Sequence, residues 1–428
     1  MKYVIVIPDG GADLPIDELD GRTPFEAAAT PNLDALARAG RVGTCATTPP
    51  GFGAGSDVCT MSLLGYDPKQ YHTGRAPLEA AALGIEPGDE AWISRVNLVT
   101  VGTDGDDDGM MLDHAGGAIS DAEARTLLAD LDKHWRREAP ELMNAVSLHP
   151  GVSYRNIMVD ASGRAYEGVA TTPPHEIPNE PWREHLPAGE VEAAGALARL
   201  IELSGPFLAG HPINQSRAQR GERPANLAWI WGQGTRPSLP NFEQRFGLRG
   251  AMLTSVDLLR GIANLIGWDL IDCPGLTSYH DTDYAGQGAA TIAALRDYDV
   301  VCCHVEAPDE ASHQADHETK VASLEAIDRA IMGPLIAHLH EYGNPEVDPR
   351  AQGWRVLVMP DHYTLCETRK HDATPVPFAM GGAWVRSVVE HALTERDGAA
   401  SDVHIDPGHE LMEYFLFSGV KGPRPRGR

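Results

Sequence analysis

Positive charge is in short supply in this chain: 35 Lys and Arg face 61 Asp and Glu, a formal charge of -26 at pH 7. That balance excludes a broad electrostatic attraction to nucleic acid or to anionic membranes, so neither is expected as a partner. Lysine is scarce, and arginine supplies most of the positive charge; genome composition and the bidentate grip of arginine on phosphate and carboxylate are both open explanations, which composition does not separate. The N-terminus, MKYVIVIPDGGAD, has only a short apolar run and an early Asp9, which excludes a signal peptide and a membrane span and reads as a first strand. Six cysteines include no C-x-x-C pair, which excludes a zinc ribbon or redox motif. Reduced thiols in the cytoplasm are the simplest expectation. There is no internal repeat or low-complexity tract, and the last ten residues, GVKGPRPRGR, read as a loose tail.

What is present is enough apolar material, 42% of 428 residues, for a large core in two domains or in one with a big insertion. YVIVIPDGG reads as a strand, and TPNLDALARAG follows with helical spacing. The same order returns late in AMLTSV then DLLRGIANLIG, in DYDVVCCHVEAPD then KVASLEAIDRAIMGPLIAHLHEYG, and in WRVLVMPDH. Continuous apolar strands alternating with long helices predict an α/β fold with a largely parallel sheet flanked by helices. Between them, AWISRVNLVTV, GMMLDHAGG, GVSYRNIMVD and GRAYEGVATTPP suit hairpins. The expected organisation is a core of residues 1–86 and 244–428 interrupted by an inserted α+β domain of residues 87–243.

The stretch PPGFGAGSDVCTMSLLGYDP crowds glycines around Ser56 before an apolar helix. No lysine follows as in a P-loop, and the spacing is not G-x-G-x-x-G, so neither nucleotide motif is met. Two readings stay open: Ser56 caps the helix, or the glycines expose it as a nucleophile where backbone N–H groups and a metal stabilise negative charge. DGDDDG, Asp104 to Gly109, imitates half of a calcium loop, but position twelve is Ala115 in place of a bidentate Glu, so a solvated turn is the better reading.

A stronger set lies in the second half. Asp309 and His313 stand four apart after a buried strand, where one helix face lets both grip one ion. Asp361 and His362 end another strand, His371 sits in a loop before a proline-marked turn, and Asp9 ends the first strand. Strand ends are where open α/β sheets bind ligands. Mixed carboxylate and imidazole ligands suit Mn, Zn, Co or Fe better than Mg, and two ions about 3.5–4 Å apart are usual for phosphoryl displacement.

Through IPDGGAD, TPNLDALARAG, GSDVCTMSLLGYDP, GRAPLEAAALGI, EAPDEASH and PDH…KHDATPVPF, the chain resembles the archaeal-type, bisphosphoglycerate-independent phosphoglycerate mutases of the alkaline phosphatase superfamily. The resemblance implies an alkaline-phosphatase-like core, a phosphoserine mechanism and a small phosphorylated substrate. It implies Ser56 as nucleophile, with Asp9, Asp361 and His362 holding one divalent metal beside it and Asp309, His313 and His371 holding the other, manganese being the first expectation. It also implies that the inserted domain retains glycerate, with Arg75, Arg155, His175, Asn214, Arg217 and Asn226 as candidate substrate contacts. After His362 the sequence reads YTLCET where relatives carry a small polar run. A homoserine kinase-type phosphotransferase or a phosphomonoesterase would use the same nucleophile and ligands, and a metal-stabilised binding protein is the non-enzymatic alternative.

Overall fold

A strand with no polar alternation must be covered on both faces, and the computed structural model, which describes residues 1–419, gathers such strands into one sheet. The expected loose tail lies outside the described residues from Val420 onward. The chain forms two units, Met1–His72 with the chain from Ser238 onward, and Thr73–Pro237. It starts with β1 (Lys2–Pro8) and β2 (Arg41–Cys45), then makes β3 (Trp92–Val101), β4 (Met111–Asp113), β5 (Val146–Pro150), β6 (Arg155–Asp160) and β7 (Leu227–Thr235) in the second unit. It returns for β8 (Gly250–Leu253), β9 (Asp269–Leu270), β10 (Val300–Val305), β11 (Trp354–Val358), β12 (Tyr363–Leu365), β13 (Lys370–Asp372), β14 (Val376–Gly382) and β15 (His404–Ile405).

The first unit holds an eight-stranded sheet in the order β15-β2-β14-β11-β1-β10-β8-β9. Strand β1 lies parallel between β10 and β11, with Val4 opposite both Val301 and Val356, all three fully buried. Strand β14 runs antiparallel to β11 and β2 antiparallel to β14, so β2 shares the direction of β1. The carboxyl ends of β1, β2, β10 and β11 therefore open on one edge, the edge that binds ligands in such sheets. The stretch expected as one long helix from Lys320 is interrupted: a helix over His317–Ile327 widens through Asp328–Met332 before resuming at Gly333–Leu339. Pro334 has no N–H to give the carbonyl four residues back, which loosens that turn.

The second unit is built on β3, which pairs antiparallel with β6, β7 and, at its end, β4, while β5 extends the sheet beyond β6. On one face Val96 and Leu98 join a core with the helices Asp121–Glu138 and Glu192–Ala209. On the other, Ile93 packs with Ala76 and Ala80 of the helix Arg75–Ala82. That packing moves the first crossing from the expected 86/87 to 72/73, and the second falls at 237/238 instead of 243/244. GRAYEGVATTPP is not a strand; it contributes only an isolated pairing of Ala170 with Ala188. The acidic DGDDDG segment is the exposed turn between β3 and β4.

One buried cation fixes the loops at the ligand edge. The Lys320 ammonium, fully buried, donates to the Ala12 carbonyl at 3.1 Å, the Thr364 carbonyl at 2.7 Å and Asp13 Oδ2 at 3.0 Å. Asp13 Oδ2 also accepts from the Cys366 N–H at 3.1 Å. The segment after β1 is thereby tied to the β12–β13 hairpin. Lys320→Met leaves the Asp13 carboxylate buried without its countercharge, and the expected loss of unfolding free energy, read from urea titration, is about 3–5 kcal/mol.

Candidate metal centre

Asp9 follows β1, and Asp361 and His362 follow β11. The Gly10 N–H donates to Asp361 Oδ1 at 3.2 Å and the Thr47 hydroxyl donates to the Asp361 carbonyl at 2.7 Å, so the segment is held by its neighbours. Both carboxylates and His362 are fully buried. His362 Nε2 lies 3.4 Å from Asp9 Oδ1, 3.4 Å from Asp361 Oδ2 and 3.1 Å from Ser56 Oγ. Asp9 Oδ1 and Asp361 Oδ2 have no hydrogen-bond partner. Buried carboxylate oxygens left without donors are costly, and a cation is what this donor set fits. Ser56 is the first residue of its helix, Gly55 takes the cap position, and no side-chain capping bond is made. The capping reading of Ser56 is thereby removed.

The second cluster gathers Asp309 and His313, in the helix Ala307–His313, with His371. His371 lies on β13, not in a loop, because β13 pairs antiparallel with β12. His313 Nε2 is 3.1 Å from Asp309 Oδ2 and 3.1 Å from His371 Nε2, which lies 3.5 Å from Asp309 Oδ1. His313 Nδ1–H donates to the Arg369 carbonyl at 3.0 Å, which turns Nε2 toward Asp309 and His371. Two imidazole nitrogens this close need a proton or a cation between them. The rings of His362 and His371 stack with centroids 4.0 Å apart, so the clusters adjoin.

Electrostatics reflect the crowding. Burial, then Asp361 and Asp309, pushes Asp9 well above the usual carboxylate range, and burial with Asp9 does the same to Glu306. Burial also pushes Asp309 up, but hydrogen bonds from His313 and His371 outweigh it and hold that carboxyl well below its ordinary value. Its hydrogen bond to Asp309 raises His313 to about 9, while burial lowers His362. Sequence reasoning missed His304, Glu306 and Thr364. His304 Nε2 contacts Asp9 Oδ2 at 2.7 Å, its Nδ1 lies 3.1 Å from Thr254 Oγ1, and Glu306 Oε2 is buried without a partner. A histidine breaking the apolar run VVCCHV just before a strand end was the available signal for the first two.

In the second unit, Arg75, Arg155 and His175 share a cationic cluster with two residues that sequence reasoning missed, Arg95 and His114. The Arg95 guanidinium sits 4.3 Å over the Trp231 ring and 2.9 Å from Glu79 Oε2. His175 packs edge-on to Trp231 at 5.5 Å and to His114 at 6.0 Å, and Arg155 lies 5.1 Å over Tyr154. Arg75 Nε is buried with no hydrogen-bond partner. Burial lowers Arg95 to about 10 against Glu79, with Arg75 and Arg155 adding to the effect. Burial, then Arg75, lowers His175 to about 4.

Three other expected contacts are occupied internally. Arg217 donates to the Arg223, Gly116 and Gly117 carbonyls and to Glu123 at 2.8 Å. Asn214 holds the Leu208 and Ala225 carbonyls and the Ala225 N–H, and Asn226 pairs with both backbone groups of Val101. All three are buried and brace loops of the second unit.

The chain is 43% identical to a 2,3-bisphosphoglycerate-independent phosphoglycerate mutase of Methanothrix thermoacetophila, over 97% of this chain and all of that one. It is 40% identical to a second such mutase, from Methanothermobacter thermautotrophicus, over 97% of each. The chain belongs to the 2,3-bisphosphoglycerate-independent phosphoglycerate mutase family. The pattern of that family matches residues 37–214. Among solved structures, a Pyrococcus horikoshii protein aligns over 97% of this chain and 96% of its own at TM-score 0.76 and 26% identity. The cofactor-independent phosphoglycerate mutase of Thermoplasma acidophilum aligns over 97% and 99% at TM-score 0.62 and 24% identity, a likeness of fold.

This mutase-family chain thus carries side-chain clusters that could hold a metal ion. Asp9 and Glu306 are held above the usual carboxylate range and His313 is raised to about 9, so each favours its proton more than the free group does, and ligation at these residues should expel protons. Calorimetric titration with Mn²⁺ in buffers of different ionisation enthalpy should show net proton release, which shrinks as pH rises and the groups deprotonate unaided.

Proposed function

We propose that this protein interconverts 3-phosphoglycerate and 2-phosphoglycerate through a phosphoserine on Ser56, without added bisphosphoglycerate. The observation that carries the reading is Ser56 Oγ, free of any capping duty, 3.1 Å from His362 Nε2 beside two buried carboxylate oxygens that lack donors. Asp9, Asp361 and His362 with Ser56 would hold one divalent cation, and Asp309, His313 and His371 a second. Mn²⁺ leads Co²⁺, Zn²⁺ and Mg²⁺ for this mixed donor set. When bound, the cations supply charge neutralisation for the transferring phosphoryl group and lower the proton affinity of the serine hydroxyl.

Ser56 Oγ bonds to phosphorus and gives up its proton as the phosphorus–oxygen bond to glycerate breaks. The freed glycerate oxygen gains a proton in return. The other glycerate hydroxyl then attacks the phosphoserine and restores Ser56, so phosphorus and protons balance over the cycle. Retention of glycerate separates a mutase from a phosphatase, and the Arg75, Arg95 and Arg155 cluster suits the carboxylate it must hold. With His175 neutral above about pH 4, the positive charge there is carried by arginine throughout the neutral range. No described helix is long and apolar enough to cross a membrane. All six cysteines are unpaired, which fits a reducing, cytoplasmic setting.

Interconversion of the two phosphoglycerates should depend on Mn²⁺ after chelation, and Ser56→Ala should abolish it while the protein still unfolds at the wild-type temperature. Isotopically labelled free glycerate should enter product slowly. Homoserine phosphorylation from ATP in its place, or phosphate release from many monoesters, would overturn the mutase reading. Arg155→Ala should raise leakage to inorganic phosphate, whereas Arg217→Ala should lower thermal stability through the loops it braces.

A further inference from the structure

The YTLCET segment that follows His362 brings Thr364 between the two clusters. Its side chain is fully buried. Thr364 Oγ1 donates to Asp309 Oδ1 at 2.5 Å and lies 3.1 Å from His362 Nδ1. Because the hydroxyl proton is committed to the carboxylate, the oxygen must accept, and the His362 proton must sit on Nδ1. His362 Nε2 then presents its lone pair to Ser56 Oγ and to the unpartnered oxygens of Asp9 and Asp361. A chain of hydrogen bonds runs from Ser56 through His362 and Thr364 to Asp309, joining a ligand of one cluster to a ligand of the other.

The backbone delivers this hydroxyl from a pinned position. The Thr364 N–H donates to the Ala12 carbonyl at 3.2 Å, its carbonyl accepts from Lys320 at 2.7 Å, and it stands opposite His371 across β12 and β13. Gly10, at φ +56°, makes room: a Cβ there would collide with Thr364 Oγ1 and with Asp309 Oδ1. Branching at Cβ restricts the rotamer that aims the hydroxyl.

We propose that Thr364 is a positioning residue that sets the ligating tautomer of His362 and the orientation of Asp309 together, so that both cation sites depend on one hydroxyl. The inference rests on the two-cation reading of the centre. Outer partners of metal ligands typically govern affinity by about 10- to 100-fold. Thr364→Val and Thr364→Ala each strand the His362 Nδ1–H and remove a donor from Asp309, whereas Thr364→Ser keeps both bonds.

Two measurements decide it. In metal-free protein, nitrogen chemical shifts of isotopically labelled histidine should show His362 protonated on Nδ1 in wild type and in Thr364→Ser, and a mixture of tautomers in Thr364→Val and Thr364→Ala. Calorimetric titration with Mn²⁺ should then give two sites in wild type, both weakened about 10- to 100-fold in the valine and alanine variants and restored toward wild type by serine. Wild-type protein that binds no Mn²⁺ overturns the cation reading, while the tautomer measurement still stands by itself. Two wild-type sites left unchanged by Thr364→Val and Thr364→Ala, or His362 protonated on Nε2 in metal-free wild type, overturn the role of Thr364 alone.

Discussion

Everything at the ligand edge of the first unit answers to one constraint: carboxyl groups are crowded into a dry place where several of their oxygens have no donor. Asp9, Asp361, Asp309 and Glu306 converge where β1, β10 and β11 end. Water cannot screen Asp9 or Asp361, both fully buried, and Asp9 Oδ1 and Asp361 Oδ2 find no hydrogen bond. Such a cluster persists only if the fold holds it by force from outside. Lys320 secures the segment after β1 and the β12 backbone, the Gly10 N–H and the Thr47 hydroxyl secure Asp361, and His304 secures Asp9. The architecture leaves buried carboxylate oxygens without donors, a donor set that could hold a metal ion at the ligand edge of the parallel sheet.

The second unit presents the opposite charge with the same economy. Arg75, Arg95 and Arg155 influence one another across the aromatic surface of Trp231 and Tyr154, with Glu79 as a partial counterweight at Arg95. Guanidinium groups keep their charge across physiological pH, and two imidazoles beside them stay depressed. Such a cluster is suited to meet a small carboxylate.

The strand ends were legible because period and position carry them: Asp9, Asp309, Asp361 and His362 close apolar runs, and the parallel order of those runs brings them together. Ser56 was legible as a place, and the cap at Gly55 shows only that it does not cap its helix. The partners that tune these residues were not legible. His304 looks like one polar residue inside a strand, and Thr364 like any strand threonine, until register sets it across from His371. Asn214, Arg217 and Asn226 resemble binding residues in sequence, yet their hydrogen bonds close on nearby backbone, and only folded geometry separates the two uses. The helix Arg75–Ala82 was assigned to the core because nothing in its own pattern says which sheet it covers.

The central claim is that Ser56 carries the phosphoryl group between the two hydroxyls of glycerate. Its most direct test is to mix Mn²⁺-loaded protein with phosphoglycerate labelled in the phosphate, quench in acid during turnover, digest, and locate the label. The account predicts acid-stable label on the peptide that contains Ser56 and on that serine. Label on a different residue, or sustained interconversion with no labelled protein at any quench time, would contradict it.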